Sequence, residues 1–304
     1  MTDTRRTYTC ATRRRVHETW DNRAMRDNER RGEVSGQGQD NADGHHADAI
    51  RNEDLFSALV IPISKFGPGK NGDPEPIGAV GTGFTFGEGT VVTCWHCVRG
   101  PLGKGEFYAA VARTGGTDQQ TYDQWFRLDE LEQDANGSDL ALARIEATVS
   151  IGLHLAAGPA GWGDDVMACG YPLPLNTKDV ETREPRINTN AMLFKGYVMR
   201  IRLSDFPGQP EGRVYELDMH APPGMSGAPV LRAGSREVVG VVVDERGYVI
   251  ETDELSDNDR TITIPLDRKL YFAYAHHLEV LSAAKGAATD GLPLAEFLAK
   301  DPSE

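Results

Sequence analysis

The run Pro222-Pro223-Gly224-Met225-Ser226-Gly227-Ala228-Pro229 sets a serine between Gly224 and Gly227, just ahead of the apolar pair Val230-Leu231. Glycine at 224 lets the backbone turn tightly, so the amides of Gly224 and Ser226 can point together at a developing oxyanion while the hydroxyl faces a cleft. A serine hydroxyl is a poor nucleophile at neutral pH; an imidazole must take its proton, and a carboxylate must orient the imidazole. The chain supplies both upstream, in Thr93-Cys94-Trp95-His96-Cys97-Val98 and in Ser138-Asp139-Leu140-Ala141-Leu142. The order is His, Asp, Ser, with spacings of 43 residues (96 to 139) and 87 residues (139 to 226). Each residue alone has an ordinary reading: Ser226 in a turn, His96 as a satisfied or exposed histidine, Asp139 bonding its local backbone ahead of a strand. Taken together, in this order and among strands, they form a triad.

In these blocks the chain resembles the chymotrypsin-like serine peptidases, in particular the bacterial trypsin-like branch that includes the high-temperature-requirement proteases. Gly81-Thr82-Gly83-Phe84, leading through Val91-Val92-Thr93 to His96, looks like the histidine block. Asp139-Leu140-Ala141 looks like the aspartate block, and Asp218 to Gly227 like the nucleophile block. The resemblance runs from Leu55 to about Ala284. It implies that His96 is the general base, that Asp139 accepts the other ring N–H, that Ser226 is acylated, and that the amides of Gly224 and Ser226 form the oxyanion hole. It also implies a primary pocket lined by His220, Val243, Asp244 and Glu245. Those two acids favour a basic side chain if they point inward; turned outward, they leave the preference open. Protein or peptide substrates follow, and no cofactor. Two other classes fit the same residues: a catalytically silent peptide-binding module, and an esterase or acyl transferase.

The chain departs from that family immediately before the serine. Secreted zymogens of the family carry an aspartate immediately before the serine, which a new N-terminus neutralises; this chain has Met225. Methionine makes no ion pair, so maturation by N-terminal insertion is not expected. Cysteine usage is sparse: Cys10, Cys94, Cys97 and Cys169 do not make a disulfide framework. By the resemblance Cys97 would pair near the glycine block, where the sequence reads Ala79-Val80-Gly81-Thr82-Gly83 and offers no partner. Zinc on Cys94, His96 and Cys97 is disfavoured, because adjacent ligands are awkward and no second pair completes a tetrahedron. Cys94 and Cys97 read as small buried fillers.

The elements that must hold these residues are strands. Phe56 to Ser64, Gly83 to Gly87, Thr90 to Cys94, Phe107 to Arg113, Gln124 to Leu128 and Leu140 to Ile145 predict a first barrel, about 55–150. Asp165 to Cys169, Ala191 to Leu203, Arg213 to Met219, Ala228 to Leu231, Val238 to Asp244, Tyr248 to Thr252 and Thr261 to Pro265 predict a second, about 160–265. Leu266, Leu270, Tyr274, Leu278 and Leu281 predict a terminal helix over 266–284. The fold class is therefore all-β: two six-stranded antiparallel β-barrels with a C-terminal α-helix, a peptidase domain over 55–285. Residues 286–304 read as a tail. Residues 1–54 read as a flexible arm, nine arginines against five acids in its first 32 residues, suited to a regulatory partner.

Composition sets outer bounds. The 304 residues are 39% hydrophobic and 26% charged, enough for a real core. A net charge of −14 argues against nucleic acid and anionic membrane as partners. Met1-Thr2-Asp3-Thr4-Arg5-Arg6 leads into no apolar signal core, and no run approaches a membrane span, so the chain as written reads as cytoplasmic.

Overall fold

The computed structural model describes residues 59–69, 72–86, 89–112, 124–146, 152–172, 191–204, 210–249, 253–257, 260–264 and 269–300. The predicted arm and residue Cys10 lie outside them. The first sheet contains β1 (Val60–Pro68), β2 (Pro74–Thr85), β3 (Thr90–Cys94), β4 (Phe107–Ala112), β5 (Gln124–Arg127), β6 (Asp129–Gln133) and β7 (Leu140–Arg144). Its order is β5-β4-β1-β2-β3-β7-β6. Only Leu128 separates β5 from β6, so one interrupted strand pairs with β4 at one end of the sheet and with β7 at the other. Chain continuity through Leu128, buried and donating its N–H to Tyr108 O at 3.0 Å, thereby makes the sheet a six-stranded barrel. Closure removes the exposed sheet edges that would template aggregation.

The second sheet runs in the order β12-β9-β10-β11-β16-β13-β8, and a further β12–β13 pairing closes six of its strands into a ring. Those strands are β9 (Asp165–Gly170), β10 (Met192–Leu203), β11 (Arg213–Leu217), β12 (Pro229–Arg232), β13 (Glu237–Val249) and β16 (Lys269–His277). The short β8 (His154–Leu155) adds in parallel to β13. The all-β, two-barrel architecture expected from the sequence is thus the one observed. Val60, Ile63, Phe84, Val92, Leu140 and Leu142 fill the first barrel, and their cluster continues through Cys169, Tyr171 and Val241 of the second. The junction between barrels is therefore closely packed with apolar side chains, a rigid seat for side chains contributed from both sides.

Three expectations are corrected. The helix predicted over 266–284 is mostly strand: β16 covers Lys269–His277, and only Leu278–Ala283 is helical (α2, following the single turn α1, Trp95–Val98). Ala273, Tyr274, Ala275, His276 and His277 are all buried, so both faces of β16 are covered and period-2 alternation vanishes. Tyr274 and Leu278 then mimic helical spacing. His277 ends the strand and caps α2, its Nδ1 accepting from Glu279 N at 3.2 Å. Of the barrel strand expected at 248–252, Tyr248 and Val249 are the end of β13 and the rest lies outside the described residues; the strand expected at 261–265 falls, as far as it is described, in a separate ribbon, β14 (Asp253–Asp257) with β15 (Arg260–Ile264). Finally, the expected tail is built into the molecule through 300. A 3₁₀ turn (Ala287–Thr289) and α3 (Leu294–Ala299) bury Ala288 and Leu294 in the first-barrel cluster, with Arg144 Nε donating to Ala288 O at 3.1 Å. Among the described residues no helix is long and apolar enough to cross a membrane.

Candidate active site

His96 and Asp139 meet because β3 and β7 are paired. Cys94 lies opposite Leu140 at the end of that ladder, and the pairing extends one step further as Trp95 N donates to Asp139 O at 3.0 Å. The chain then turns into α1, which points the His96 ring back at the aspartate. Asp139 uses both carboxylate oxygens on this one residue: Oδ1 accepts from His96 N at 2.9 Å, and Oδ2 lies 2.5 Å from Nδ1. An ionised Asp139 therefore fixes the ring proton on Nδ1 and leaves Nε2 as the basic nitrogen. Asp139 is buried while the His96 side chain keeps 34% exposure, so the pair opens to a reactant on the imidazole side only.

Burial acts to lower the His96 pKa. The hydrogen bonds to Asp139 and Cys97 and the charges on both outweigh it, leaving the pKa raised above 6.5. Burial holds His276 at about 4. That ring is neutral at physiological pH and does not compete for the role of titrating base.

The nucleophile loop lies between β11 and β12. Gly224 and Gly227 take left-handed φ values of 98° and 88°, which side chains disfavour. At Gly227 the space is closed as well: a Cβ would stand 2.0 Å from Thr82 O and 2.5 Å from Thr93 Oγ1. This close approach seats the loop of the second barrel on β2 and β3 of the first. Thr82 N donates to Ser226 O at 2.9 Å, and Cys97 Sγ, next to His96, lies 3.8 Å from the same oxygen. The three predicted residues thus converge at the barrel junction. Among the described residues no hydrogen bond joins Ser226 to His96. The Ser226 hydroxyl instead donates to Val243 O at 3.0 Å. Val243 is the irregular position in the β13–β16 ladder, between Val242 and Asp244, which leaves its carbonyl available. Among the described residues the Gly224 and Ser226 amides have no internal acceptor.

The four pocket candidates separate. The Val243 side chain is buried. Glu245 Oε1 accepts from Ala221 N at 2.9 Å and lies 3.1 Å from His220 Nδ1, with the Tyr271 ring 5.6 Å from the imidazole, centroid to centroid. Glu245 and His220 are therefore together beside the nucleophile loop. Asp244 is on the other face of β13, its carboxylate 3.8 Å from Arg246 Nε. It does not join Glu245, and the alternation of a strand is the reason. The ligand atoms of Cys94, His96 and Asp139 all lie within 4.8 Å of one another, a grouping that swaps Asp139 for the Cys97 weighed in the sequence. Metal would have to break the His96–Asp139 contact. It would also need a thiolate from Cys94, whose thiol donates to Val242 O at 3.2 Å and whose pKa burial and the Asp139 charge push well up. The donor set does not fit a cation.

Residue Thr82 escaped the sequence reading. It stood there only within the Gly81-Thr82-Gly83-Phe84 string of the histidine block, with no role of its own, yet its side chain and backbone each make a hydrogen bond to the nucleophile loop, described below.

Comparison with known proteins gives one family and a set of related folds. A profile described as the trypsin-like peptidase domain matches residues 81–241, more than half of the chain. No curated protein sequence matches. Among solved structures, the active form of the Rv3671c protease from M. tuberculosis aligns with a TM-score of 0.50 at 19% identity, over 89% of this chain and 95% of that one. An HtrA-type protease, AlgW with a decapeptide, aligns with a TM-score of 0.50 at 12% identity, over 77% of this chain and 64% of that one. At these identities the two structures speak to the fold alone.

Proposed function

This chain belongs to the trypsin-like peptidase family, and from that premise we propose that it is a serine endopeptidase whose triad is His96, Asp139 and Ser226. The observation that carries the assignment is the two-pronged grip of Asp139 on His96, at 2.9 Å and 2.5 Å, beside a loop that seats a serine between left-handed glycines. Peptide cleavage begins as the Ser226 hydroxyl leaves Val243 O and turns to the imidazole. Oγ attacks the scissile carbonyl while Nε2 takes its proton, and the oxyanion settles on the Gly224 and Ser226 amides. The imidazolium, stabilised by Asp139, returns the proton to the leaving amine. Water then hydrolyses the acyl-enzyme by the same path in reverse.

Protein or peptide substrates of narrow range suit this reading, as does work inside the cell, in stress or antiviral signalling. Cys94 and Cys97, three residues apart, are both buried as thiols rather than bridged to each other, the state expected in a reducing compartment. For the pocket, Glu245 already accepts from His220 and Ala221. A basic substrate side chain would have to share that carboxylate, so the proposal gives Glu245 and His220 the pocket wall and leaves Asp244 out.

A peptide-library cleavage profile of the full chain tests the function. Cleavage within peptides, at bonds sharing a common residue on the acyl side, is expected. Turnover of simple esters with no peptide cut under the same conditions would make the chain an esterase instead.

The pH dependence follows from the same pair. The base must be neutral, and its pKa is raised by Asp139, so kcat/KM should rise with pH through a midpoint above 6.5. A midpoint at or below 6.5, with chemistry limiting, would show that the carboxylate does not govern the base.

A further inference from the structure

We propose that Thr82 is the positioning residue that holds the oxyanion loop in its working conformation, through a hydroxyl link across the junction between the barrels. The inference rests on the protease reading given above. Thr82 sits on β2 and is fully buried. Its Oγ1 accepts from Tyr171 N at 2.9 Å and donates to Gly224 O at 2.7 Å. Its backbone N–H donates to Ser226 O at 2.9 Å, and its carbonyl accepts from Thr93 Oγ1 at 2.6 Å.

The roles of that hydroxyl are fixed by its partners. Tyr171 N can only donate, so the Thr82 proton goes to Gly224 O. A peptide is planar, so holding the Gly224 carbonyl also holds the Met225 N–H on the opposite side, which donates to Pro222 O at 3.0 Å. Ser226 O is held by the Thr82 backbone. The Gly224 and Ser226 carbonyls thus face Thr82, the Met225 carbonyl between them accepts from Ala228 N at 2.8 Å, and the two amides without an internal acceptor among the described residues, Gly224 and Ser226, remain for an incoming oxyanion. The second barrel is shaped to admit the contact: a Cβ at Gly170 would lie 3.0 Å from Thr82 Oγ1 and 2.8 Å from Met225 Sδ. Met225 is itself completely buried and anchors the loop from below. A valine at 82 would fill the same volume. Only a hydroxyl completes this circuit, and in a buried site both hydrogen bonds are firm.

Thr82→Val, Thr82→Ser and Thr82→Cys, each as the full chain, test the link against a peptide substrate, a peptidyl aldehyde whose adduct oxygen requires the oxyanion hole, and a product peptide that does not. Thr82→Val is expected to lower kcat about a hundredfold and to weaken the aldehyde by a like factor, with KM and product affinity within about threefold. Thr82→Ser should stay within about threefold of wild type in every measure, because the donor is retained. Val at wild-type kcat, Ser falling as far as Val, or Val losing product affinity in proportion to aldehyde affinity would each overturn the proposal. If Val does not fold, Cys decides: a weak donor of similar size should lose more than Ser and less than the roughly hundredfold expected of Val, and a folded Cys variant with full kcat and aldehyde affinity overturns the link. Wild type that cuts no peptide and takes no serine-directed phosphonate overturns the protease reading and the link with it. Labelled wild type with an unaffected Val variant overturns the link alone.

Discussion

Ser226→Ala is expected to lower kcat for peptide hydrolysis on the order of a million-fold, the scale seen when a triad nucleophile is removed. The fold should survive. Among the described residues the Ser226 hydroxyl makes one hydrogen bond, to Val243 O at 3.0 Å, at a partly exposed site. Its loss costs about 1 kcal/mol, which in a domain of this size moves Tm by roughly 2–4 °C. Unfolding therefore cannot account for the loss, and circular dichroism beside the kinetics separates the two. A residual rate within tenfold of wild type would remove Ser226 from the chemistry.

Asp139→Asn should lower kcat about ten-thousand-fold, and His96→Ala on the order of a million-fold. The aspartate result has a specific cause here. Asp139 accepts twice from the same residue, from His96 N on Oδ1 and from Nδ1 on Oδ2. Asparagine has a single acceptor oxygen. The backbone N–H can only donate, so it claims that oxygen and turns the amide NH₂ toward Nδ1. The ring proton is then driven to Nε2, the nitrogen that must be bare to accept from Ser226. Steady-state kinetics on a peptide substrate checks this, and a loss smaller than tenfold would mean the tautomer is set by something other than Asp139.

The barrels, and the residues His96, Asp139 and Ser226 that meet at their junction, were legible because they depend on local strings: a glycine-flanked serine, a histidine two residues past a strand, an aspartate at the head of another. What escaped depends on contacts between distant segments. Tyr274 looked helical because β16 is buried on both faces, which erases the alternation that marks a strand. Residues 286–300 looked like a tail because Ala288 and Leu294 are buried by the first barrel, to which nothing in their own sequence points. Asp244 and Glu245 looked equivalent as neighbouring acids, yet a strand sends them to opposite faces, one to Arg246 and the other to His220. Thr82 lay within the histidine block, but its hydroxyl gave no signal because threonine is common in strands for its shape. Its hydroxyl matters only once the second barrel has brought Gly224 and Tyr171 within reach.

The central claim is that Ser226 is the acylated nucleophile, activated by His96. Covalent labelling of the full chain by a fluorophosphonate, with the adduct mapped by peptide mass spectrometry, tests it most directly. The account predicts one adduct, on Ser226, absent in Ser226→Ala and strongly slowed in His96→Ala. An adduct on any other residue, or labelling that persists unchanged in Ser226→Ala, would contradict it.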